Sequence, residues 1–337
     1  MAEITNSSDF FSQTIFNEVV EEYEKNENEC PLFVIIGGVP GSGKTTITKK
    51  LEKLLLNYFD KQSVTKNEEI KWYQSPMNDI KKLDLLNTIT DPVTKNIDAP
   101  DTVNLQTISY KKNIKNFNSY KELKYDENKL PFYSIKSIGG EKTSIEVHLP
   151  TSDIKQGRVA TVSMDGFHVP RERLLEYEDP EQAFIKRGHF ETFDSKNYLN
   201  FLKLLFSGKD ILLKYPGFNH EDKDPVSNAH QMKITSEKEL KICIVEGLYN
   251  LFNEENFGKS LLDELKLNKK RYLLYFFDCD DKILEERVSK RHLASGIVDN
   301  LEDGIIRFRN NDIKNGILIR ENMVDDNSVK VISIQQY

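Results

Sequence analysis

The sequence contains little cysteine. Its 337 residues include three cysteines, Cys30, Cys243 and Cys279, which are odd in number and far apart. A disulfide framework is therefore not expected, and the pattern is typical of a protein from a reducing compartment. Cys243 and Cys279 lie in or just after apolar, strand-like runs, which favours buried packing. Neither a Cys-x-x-Cys motif nor a His/Cys cluster of the metal-binding type occurs, so a zinc-type site is not indicated.

Long apolar runs and a basic N-terminus are lacking as well. No run is long enough to span a bilayer. Residues 1–24 contain no lysine or arginine but several acids, a composition that argues against a signal or transit peptide. The formal net charge of −7 argues against wholesale binding to nucleic acid or to anionic membranes. These features predict a cytoplasmic protein with no transmembrane segment and no nucleic-acid partner.

One short stretch carries a strong signal for phosphate binding. Residues 38–45, with the sequence Gly-Val-Pro-Gly-Ser-Gly-Lys-Thr, fit the P-loop pattern G-x-x-x-x-G-K-[ST]. The apolar run 32–36 before it is typical of a buried strand, and the run 46–56 after it has helical spacing. Strand, loop and helix in this order favour a nucleotide-binding site over a chance glycine-rich turn.

The residue types of this loop suit its chemistry. Glycines let backbone N–H groups approach phosphate oxygens, and the helix N-terminus adds a partial positive charge. Lys44 is expected to reach the β- and γ-phosphates, and the Thr45 hydroxyl to ligate magnesium. The predicted nucleotide-binding residues are Gly38, Val39, Pro40, Gly41, Ser42, Gly43, Lys44, Thr45 and Thr46.

The rest of the chain alternates predicted strands and helices. Besides the run before the P-loop, the predicted strands are Val159–Met164, Leu240–Val245, Tyr272–Phe277 and Val329–Ile334. The predicted helices are an N-terminal helix capped by Ser7 or Ser8, the P-loop helix, and the segments Tyr198–Phe206, Leu261–Leu267, Lys282–His292 and Glu302–Lys314. This alternation indicates an α/β fold with a mostly parallel sheet and helices on both faces.

One segment breaks this rhythm. Roughly ninety residues separate the P-loop helix from the predicted strand at Val159, far more than a usual connection. Residues 61–150 hold fourteen lysines, no arginine and twelve acids. Two strand-like runs, 130–135 and 143–149, flank Gly139–Lys142 and predict a hairpin.

The predicted domain boundaries follow from this break. Residues 1–60 would hold the N-terminal helix and the P-loop part of the core, residues 61–155 the inserted subdomain, and residues 156–337 the remainder with its lid. The middle of the insertion, residues 88–107, is expected to be disordered. Three roles stay open for the insertion: a lid over an acceptor, a docking surface for a protein partner, or a tolerated surface insertion without function.

Two carboxylates follow predicted strands at the edge where parallel sheets bind ligands. Asp165 ends the Val159 strand, where it could deprotonate an acceptor hydroxyl, although an Asp before Gly166 also suits a turn or a helix cap. Glu246 follows an apolar strand and precedes Gly247, a position from which a carboxylate can hold magnesium.

Two arginines lie four residues apart on a predicted helix. Arg287 and Arg291 share a helix face, and a guanidinium pair suits triphosphate oxygens. A solvated face that pairs with Asp281, Glu285 or Glu286 is the alternative. The sequence lacks the Asn-Lys-x-Asp motif that reads guanine and the Leu-Ser-Gly-Gly signature of transporters.

Beyond the P-loop, an ordered set of motifs resembles a known group of kinases. The motifs are Met164–His168, Arg187-Gly188 with Thr192-Phe193-Asp194, Pro216–His220 with Lys223-Asp224-Pro225, Glu246-Gly247 with Tyr249, and Asn311-Asp312 with Asn315-Gly316. In this order they resemble the uridine kinase, phosphoribulokinase and pantothenate kinase group. The Asp-Gly-Phe-His and Lys-Asp-Pro elements are most similar to a fungal, uridine-kinase-like branch of ATP-dependent kinases.

This resemblance implies a three-layer α/β/α P-loop kinase fold with a mostly parallel sheet and a large insertion after the P-loop helix. It implies that ATP with Mg²⁺ phosphorylates a hydroxyl of a small nucleoside-, sugar- or pantothenate-like metabolite. The implied catalytic residues are Asp165 as the base, Lys44, and the lid arginines Arg287 and Arg291. The implied magnesium ligands are Thr45 and Glu246. The implied acceptor-binding residues are His168, Arg187, Phe218 and His220. Phe218 and His220 fall where pantothenate kinases keep an aromatic residue and a histidine beside the acceptor.

The sequence also departs from the pattern of this group. Relatives often have proline where Phe190 stands and aspartate where Asn219 stands, and uridine kinases usually carry a different pair from Gly166-Phe167 after the base. These differences argue against uridine itself as the acceptor. Two other functions stay open, namely a P-loop ATPase without a small-molecule acceptor and a nucleotide-sensing scaffold that docks a partner through the insertion.

Overall fold

The computed structural model describes residues 7–29, 31–66, 120–122, 132–152, 154–235 and 238–334. The strands are β1 (Leu32–Gly38), β2 (Tyr120–Glu122), β3 (Phe132–Ile135), β4 (Ile145–His148), β5 (Val159–Ser163), β6 (Ile211–Asn219), β7 (Asp224–Ile234), β8 (Ile242–Glu246), β9 (Tyr272–Cys279) and β10 (Val329–Ile334). The α-helices are α1 (Ser7–Lys25), α2 (Lys44–Lys66), α3 (Arg171–Leu174), α4 (Pro180–Ile185), α5 (Ser195–Phe206), α6 (Gly258–Leu267), α7 (Asp281–Ala294), α8 (Leu301–Arg307) and α9 (Ile313–Glu321).

The chain divides into two compact units. Unit 1 comprises Met1–Tyr73, Lys155–Ser163 and Glu237–Tyr337, and unit 2 comprises Gln74–Ile154 and Met164–Ser236. This division differs from the predicted segments 1–60, 61–155 and 156–337, because the last of them is split. Its part Met164–Ser236 belongs to unit 2 together with Gln74–Ile154, whereas Lys155–Ser163 and Glu237–Tyr337 belong to unit 1. Within the described residues, each unit has a five-stranded sheet of its own.

Unit 1 is built on a parallel sheet of order β10-β9-β1-β8-β5. The central strand, β1, is buried along its whole length, which suits its apolar and β-branched residues. In the register of the sheet, Ile36 lies beside Glu246 of β8 and Tyr275 of β9. The predicted parallel α/β fold is therefore confirmed, and the ends of β1 and β8 bring the P-loop and Glu246 to one edge of this sheet.

The predicted N-terminal helix is confirmed as α1, which packs on α2. Ile15, Val19 and Tyr23 are buried on one side of the helix, whereas Phe10 at its start is 59% exposed. The rings of Tyr23 and Phe59 meet edge to face with centroids 5.3 Å apart. This contact fixes the P-loop helix against α1 on the side away from its first turn.

Unit 2 is built on an antiparallel sheet of order β2-β3-β4-β6-β7. The predicted hairpin in the insertion is confirmed as β3 and β4. However, β4 continues the sheet by pairing with β6, so that Val147 lies opposite Leu213. The predicted inserted subdomain thus does not have a sheet to itself, because it shares this one with the hairpin of β6 and β7.

A buried carboxylate, Asp194, ties the β3–β4 loop to α5. One of its oxygens accepts from the Thr143 hydroxyl at 2.6 Å and from the Gly139 N–H at 3.0 Å. The other accepts from the Asn197 N–H at 3.3 Å and so caps α5. Burial raises the pKa of Asp194, and these donors oppose that shift. The loop of the predicted insertion is therefore part of the core of unit 2.

Three further predictions concern the cysteines, the membrane and the insertion. Cys243 and Cys279 are buried free thiols, as predicted, and Cys30 lies outside the described residues. None of the described helices is both long and apolar enough to cross a membrane. The predicted disordered stretch, residues 88–107, lies outside the described residues, so this expectation stays a prediction.

The contacts of Asp194 predict a large stability loss when its carboxylate is removed. Asp194→Ala leaves the buried donors of Thr143 and Gly139 unsatisfied and removes a helix cap, which should cost roughly 2–4 kcal/mol. Asp179→Ala is the matched control, because Asp179 caps α4 from an exposed position and should cost only about 1 kcal/mol. Urea unfolding followed by circular dichroism measures both. Equal losses in the two variants would contradict the role of Asp194.

Candidate active site

The P-loop backbone follows a path that only glycine can take. Gly38, Gly41 and Gly43 have φ values of +142°, +80° and +89°. A Cβ atom on Gly38 would lie 2.2 Å from the carbonyl oxygen of Phe277, and one on Gly41 would lie 2.4 Å from Cγ2 of Val288. The loop is therefore pressed against β9 on one side and α7 on the other, which explains the glycines of the motif.

The first turn of α2 carries partial positive charge directly after the loop. The helix begins at Lys44 and has no acidic residue in its first turn, so the helix dipole is not neutralised there. The Lys44 ammonium donates to the carbonyl oxygens of Gly38 and Val39, both at 2.8 Å. The Ser42 hydroxyl donates to Val39 as well, at 2.8 Å. These bonds hold the loop in a tight curve, as a loop that binds phosphate through its backbone requires.

Thr45 and Glu246 form an oxygen pair beside this loop. The Thr45 hydroxyl lies 3.5 Å from Oε1 of Glu246 at the carboxyl end of β8, and Glu246 is 7% exposed. The loop that follows Glu246 is held by the amide of Asn250, which donates to the carbonyl oxygens of Ile36 and Val245. One hydroxyl and one carboxylate are the hard oxygen ligands that Mg²⁺ takes when phosphates supply the rest, so this pair fits the predicted magnesium ligands.

The predicted lid arginines are exposed on α7. Arg287 makes one weak contact, 3.9 Å to the sulfur of Cys279, and within the described ranges neither Arg287 nor Arg291 forms an ion pair. The acids that would have paired with them bind other residues: Asp281 pairs with Arg320, Glu285 with Arg309, and Glu286 with Lys290. The alternative of a salt-bridged surface face is thus not observed for these two arginines.

In unit 2, Asp165 lies in a 3-10 turn, Met164–Phe167, directly after β5. The turn approaches β6 so closely that a Cβ atom on Gly166 would lie 2.3 Å from the carbonyl oxygen of Pro216. The glycine after the predicted base is therefore required by packing. Asp165 is partly exposed, as a residue that meets a substrate must be.

His168 is held by the backbone of the predicted base. Its Nδ1 lies 2.8 Å from the carbonyl oxygen of Asp165, and because that oxygen can only accept, Nδ1 carries the proton. Burial lowers the pKa of His168, and the charge of Arg187 adds to this effect while that of Asp165 opposes it. A neutral ring with its proton on Nδ1 offers the lone pair of Nε2 as an acceptor.

The predicted acceptor residues meet around one aromatic ring, that of Phe218. The His168 ring lies between Phe193 and Phe218, with centroids 4.0 and 4.9 Å away. On the same Phe218 ring, the exposed His220 ring lies at 5.2 Å and the guanidinium of Arg187 at 6.0 Å. The structure therefore brings together in unit 2 all four residues that the sequence predicts for the acceptor.

The carboxylate of Asp224 organises this cluster, a role that sequence reasoning missed. It accepts from Arg187 at 2.8 Å, from Lys142 at 2.7 Å and from the Arg171 N–H at 2.9 Å. Burial acts to raise the pKa of Asp224, but these donors together hold it below its ordinary value. Asp224 is part of the Lys-Asp-Pro motif, which was the available signal. Arg187 also donates to the carbonyl oxygen of Val169 at 3.1 Å, so its guanidinium is engaged within unit 2.

Comparisons with known proteins agree with this geometry. A family model described as Aq_aa27 P-loop NTPase domain matches residues 10–98. The ATP-dependent kinase YFH7 from Candida glabrata is 31% identical over 356 residues, which cover 94% of this chain and 96% of that protein. This chain belongs to the YFH7 family of ATP-dependent kinases. The predicted resemblance to a fungal branch of P-loop kinases is thereby confirmed.

Solved structures confirm the P-loop kinase fold. The crystal structure of YFH7 from Saccharomyces cerevisiae, described as a P-loop containing kinase with a circular permutation, has a TM-score of 0.71 and 25% identity. The match covers 96% of this chain and 99% of that one. A fructose transport system kinase from Silicibacter sp. TM1040 has a TM-score of 0.51 at 16% identity, with 95% and 98% covered, and shows the fold alone.

The contact of Gly41 with α7 predicts a specific failure of nucleotide binding. Gly41→Ala forces a methyl group onto Val288 at a φ value that L-residues avoid. Overpacking typically costs about 1–3 kcal/mol, so the affinity for ATP should fall roughly 10-fold or more. Gly296→Ala is the control, because it has a similar φ of +64° but no neighbouring atom within 4 Å. Calorimetric titration of ATP measures both, and unchanged binding in Gly41→Ala would contradict the packing account.

The contacts of Arg187 and His220 predict that only Arg187, of these two predicted acceptor residues, contributes measurably to stability. Arg187→Ala removes a charged partner of the buried Asp224 and should cost roughly 1–3 kcal/mol of stability. His220→Ala changes an exposed side chain and should alter stability by less than about 0.5 kcal/mol. Thermal unfolding compares the two variants. A fully stable Arg187→Ala protein would show that the contact with Asp224 is dispensable and that Arg187 serves the acceptor alone.

Proposed function

We propose that this enzyme transfers the γ-phosphoryl group of ATP to a hydroxyl of a small metabolite. Membership of the YFH7 family supports ATP-dependent kinase activity, and the proposal adds the acceptor and the residue roles. The observation that supports it most directly is the cluster of His168, Arg187 and His220 around the Phe218 ring. This cluster is linked to Asp165 through His168, which binds the Asp165 carbonyl oxygen. A nucleotide-hydrolysing protein without an acceptor has no need for such a cluster.

On the nucleotide side, the chain supplies positive charge that is already in place. The P-loop N–H groups and the first turn of α2 would bind the phosphates, and the Lys44 ammonium would exchange a loop carbonyl for a phosphate oxygen. Arg287 and Arg291, for which the described part of the chain offers no paired acid, would neutralise charge on the transferring group. Charges that need no rearrangement when the transition state forms are the largest single source of catalysis in such reactions.

Magnesium fits the oxygen pair of Thr45 and Glu246. Thr45 and Glu246 would hold the ion, and its positive charge would offset that of the phosphates. The packing of Glu246 beside β1 keeps its carboxylate close to the P-loop whether or not a phosphate is present. The chain's own part is therefore to hold this carboxylate in place.

On the acceptor side, Asp165 would take the proton of the attacking hydroxyl. The hydroxyl oxygen then bonds to the γ-phosphorus, the bond to the β,γ-bridging oxygen breaks, and ADP leaves. His168 is fixed by the Asp165 carbonyl and keeps Nε2 free to accept a second hydroxyl of the acceptor. The ring of Phe218 and the exposed His220 offer an apolar face and a polar edge, which suits a hydroxylated organic molecule of the nucleoside, sugar or pantothenate class.

Replacement of the proposed base tests these roles. Asp165→Asn keeps the size of the side chain but cannot accept the proton, so acceptor-dependent turnover should fall roughly 10²–10⁴-fold. The affinity for ATP should stay near the wild-type value, because Asp165 lies outside the nucleotide motifs. Asp179→Asn is the control, since asparagine also caps a helix and the site is exposed. ADP release in the presence of pooled alcohols measures turnover.

The outcomes separate the proposal from its alternatives. A loss of ATP binding in Asp165→Asn would make this residue a structural or metal-linked group and would contradict its role as a base. ATP turnover that no alcohol stimulates and that survives in Asp165→Asn would favour an ATPase without an acceptor. Binding of ATP without any turnover would favour a nucleotide-sensing scaffold.

A further inference from the structure

The lid helix α7 touches the P-loop through one of its faces. Leu284, Val288 and His292 are four residues apart, share that face and are buried. The two apolar side chains lie against the P-loop, because a Cβ atom on Gly41 would meet Val288 at 2.4 Å and Leu284 at 3.4 Å. His292 continues the face one turn further along. The lid arginines occupy the exposed side of the same helix.

A second helix, α9, also packs against the P-loop. A Cβ atom on Gly316 would lie 3.6 Å from Cβ of Val39 and 3.8 Å from Cδ of Pro40. One turn earlier, Asp312 ends a π-helical turn, Phe308–Asp312, that interrupts the predicted helix Glu302–Lys314. A π turn inserts one extra residue and so turns the following side chains toward a new neighbour, and such turns often occur at functional sites.

A buried hydrogen bond joins these two helices. Nε2 of His292 lies 2.9 Å from Oδ2 of Asp312, and the two residues are 5% and 9% exposed. Because a carboxylate only accepts, Nε2 donates. Nδ1 of His292 is buried and has no hydrogen-bond partner within the described residues. A buried polar pair with one unsatisfied atom is a poor source of stability, since apolar side chains of similar volume often stabilise a protein as well or better.

We infer that the His292–Asp312 hydrogen bond is a positioning device for Arg287 and Arg291. It joins the two helices that flank the P-loop and thereby fixes the rotation of α7 about its axis. The other polar contacts between α7 and this segment, Asp281 with Arg320 and Glu285 with Arg309, lie at the surface, where water weakens them. The His292–Asp312 bond is buried and directional, and so it restrains the roll of α7 on the apolar contacts of Leu284 and Val288. The inference rests on the proposed function, in which the arginines neutralise the transferring phosphoryl group.

Three substitutions test the bond itself. His292→Leu fills similar space without a donor, His292→Gln keeps an N–H donor for the carboxylate, and Asp312→Asn keeps the size of the acceptor without its charge. His292→Leu should lower kcat roughly 10–100-fold with little change in the KM for ATP, because small misplacements of catalytic groups cost this much. His292→Gln should restore most of kcat, and Asp312→Asn should lie between the two. A merely structural pair would change the thermal midpoint and leave the rate of the folded enzyme intact.

Joint replacement of both arginines tests whether the bond acts through them. Arg287→Ala together with Arg291→Ala should lower kcat, and adding His292→Leu should lower it little further, because residues that act as a unit are not additive. Fully additive losses would overturn the inference. His148→Leu is the matched control, since His148 forms a 2.9 Å pair with Glu146 on β4 of unit 2 and should leave kcat unchanged.

A readout that does not need an acceptor separates this inference from the proposed function. Trypsin cleaves after Arg287, Lys290 and Arg291, which are exposed on α7, and a non-hydrolysable ATP analogue should protect these sites in the wild-type protein. The protection should be lost in His292→Leu and kept in His148→Leu. Equal protection in wild type and His292→Leu, or none in the wild type, would overturn the inference. Loss of protection in His292→Leu alone, without any acceptor-dependent transfer, would leave it standing while the proposed function fails.

Discussion

The close approach of the P-loop backbone to its neighbours is the constraint on which unit 1 depends. Gly38 lies against the Phe277 backbone and Gly41 against Val288, at distances that leave no room for a Cβ atom. Because these contacts leave the loop no room to shift, its position is fixed relative to β9 and α7. Lys44 donates to carbonyl oxygens of the loop, and α7, which carries Arg287 and Arg291, packs against the loop through Val288. The shape of the predicted nucleotide site and the position of α7 are therefore consequences of the same packing.

Unit 2 achieves the same rigidity with polar contacts. Asp224 gathers two cations and a backbone N–H, and Asp194 ties the hairpin loop to α5. Both carboxylates bind donors that come from the predicted insertion and from the segment after Met164. The cluster around Phe218 thus rests on contacts between distant parts of the chain. The insertion therefore contributes to this cluster, because Lys142 from its loop binds Asp224, which in turn binds Arg187.

Local patterns were enough to predict the part of the site that one strand, loop and helix build. The P-loop, the parallel sheet and the position of Glu246 follow from short motifs, whereas the acceptor-side residues His168 and Phe218 were predicted only through the resemblance to known kinases. The sequence did not predict the hairpin of β6 and β7, because the pair Pro216-Gly217 is typical of a turn. In addition, the exposed residues of β7, 226–231, are mostly polar and show no strand-like alternation. The contact of Lys142 with Asp224 spans 82 residues, and no local rule reports such a pairing. The π turn at Asp312 was hidden in a pattern that suits an unbroken helix.

The γ-phosphoryl group is proposed to pass to an organic hydroxyl rather than to water. ATP labelled with ¹⁸O in its γ-phosphate, incubated with the enzyme and a mixture of small alcohols, tests this claim by mass spectrometry. We expect a phosphate ester that retains three labelled non-bridging oxygens, formed by the wild-type enzyme and absent with Asp165→Asn. Label found in inorganic phosphate alone, at the same rate in both proteins, would contradict it.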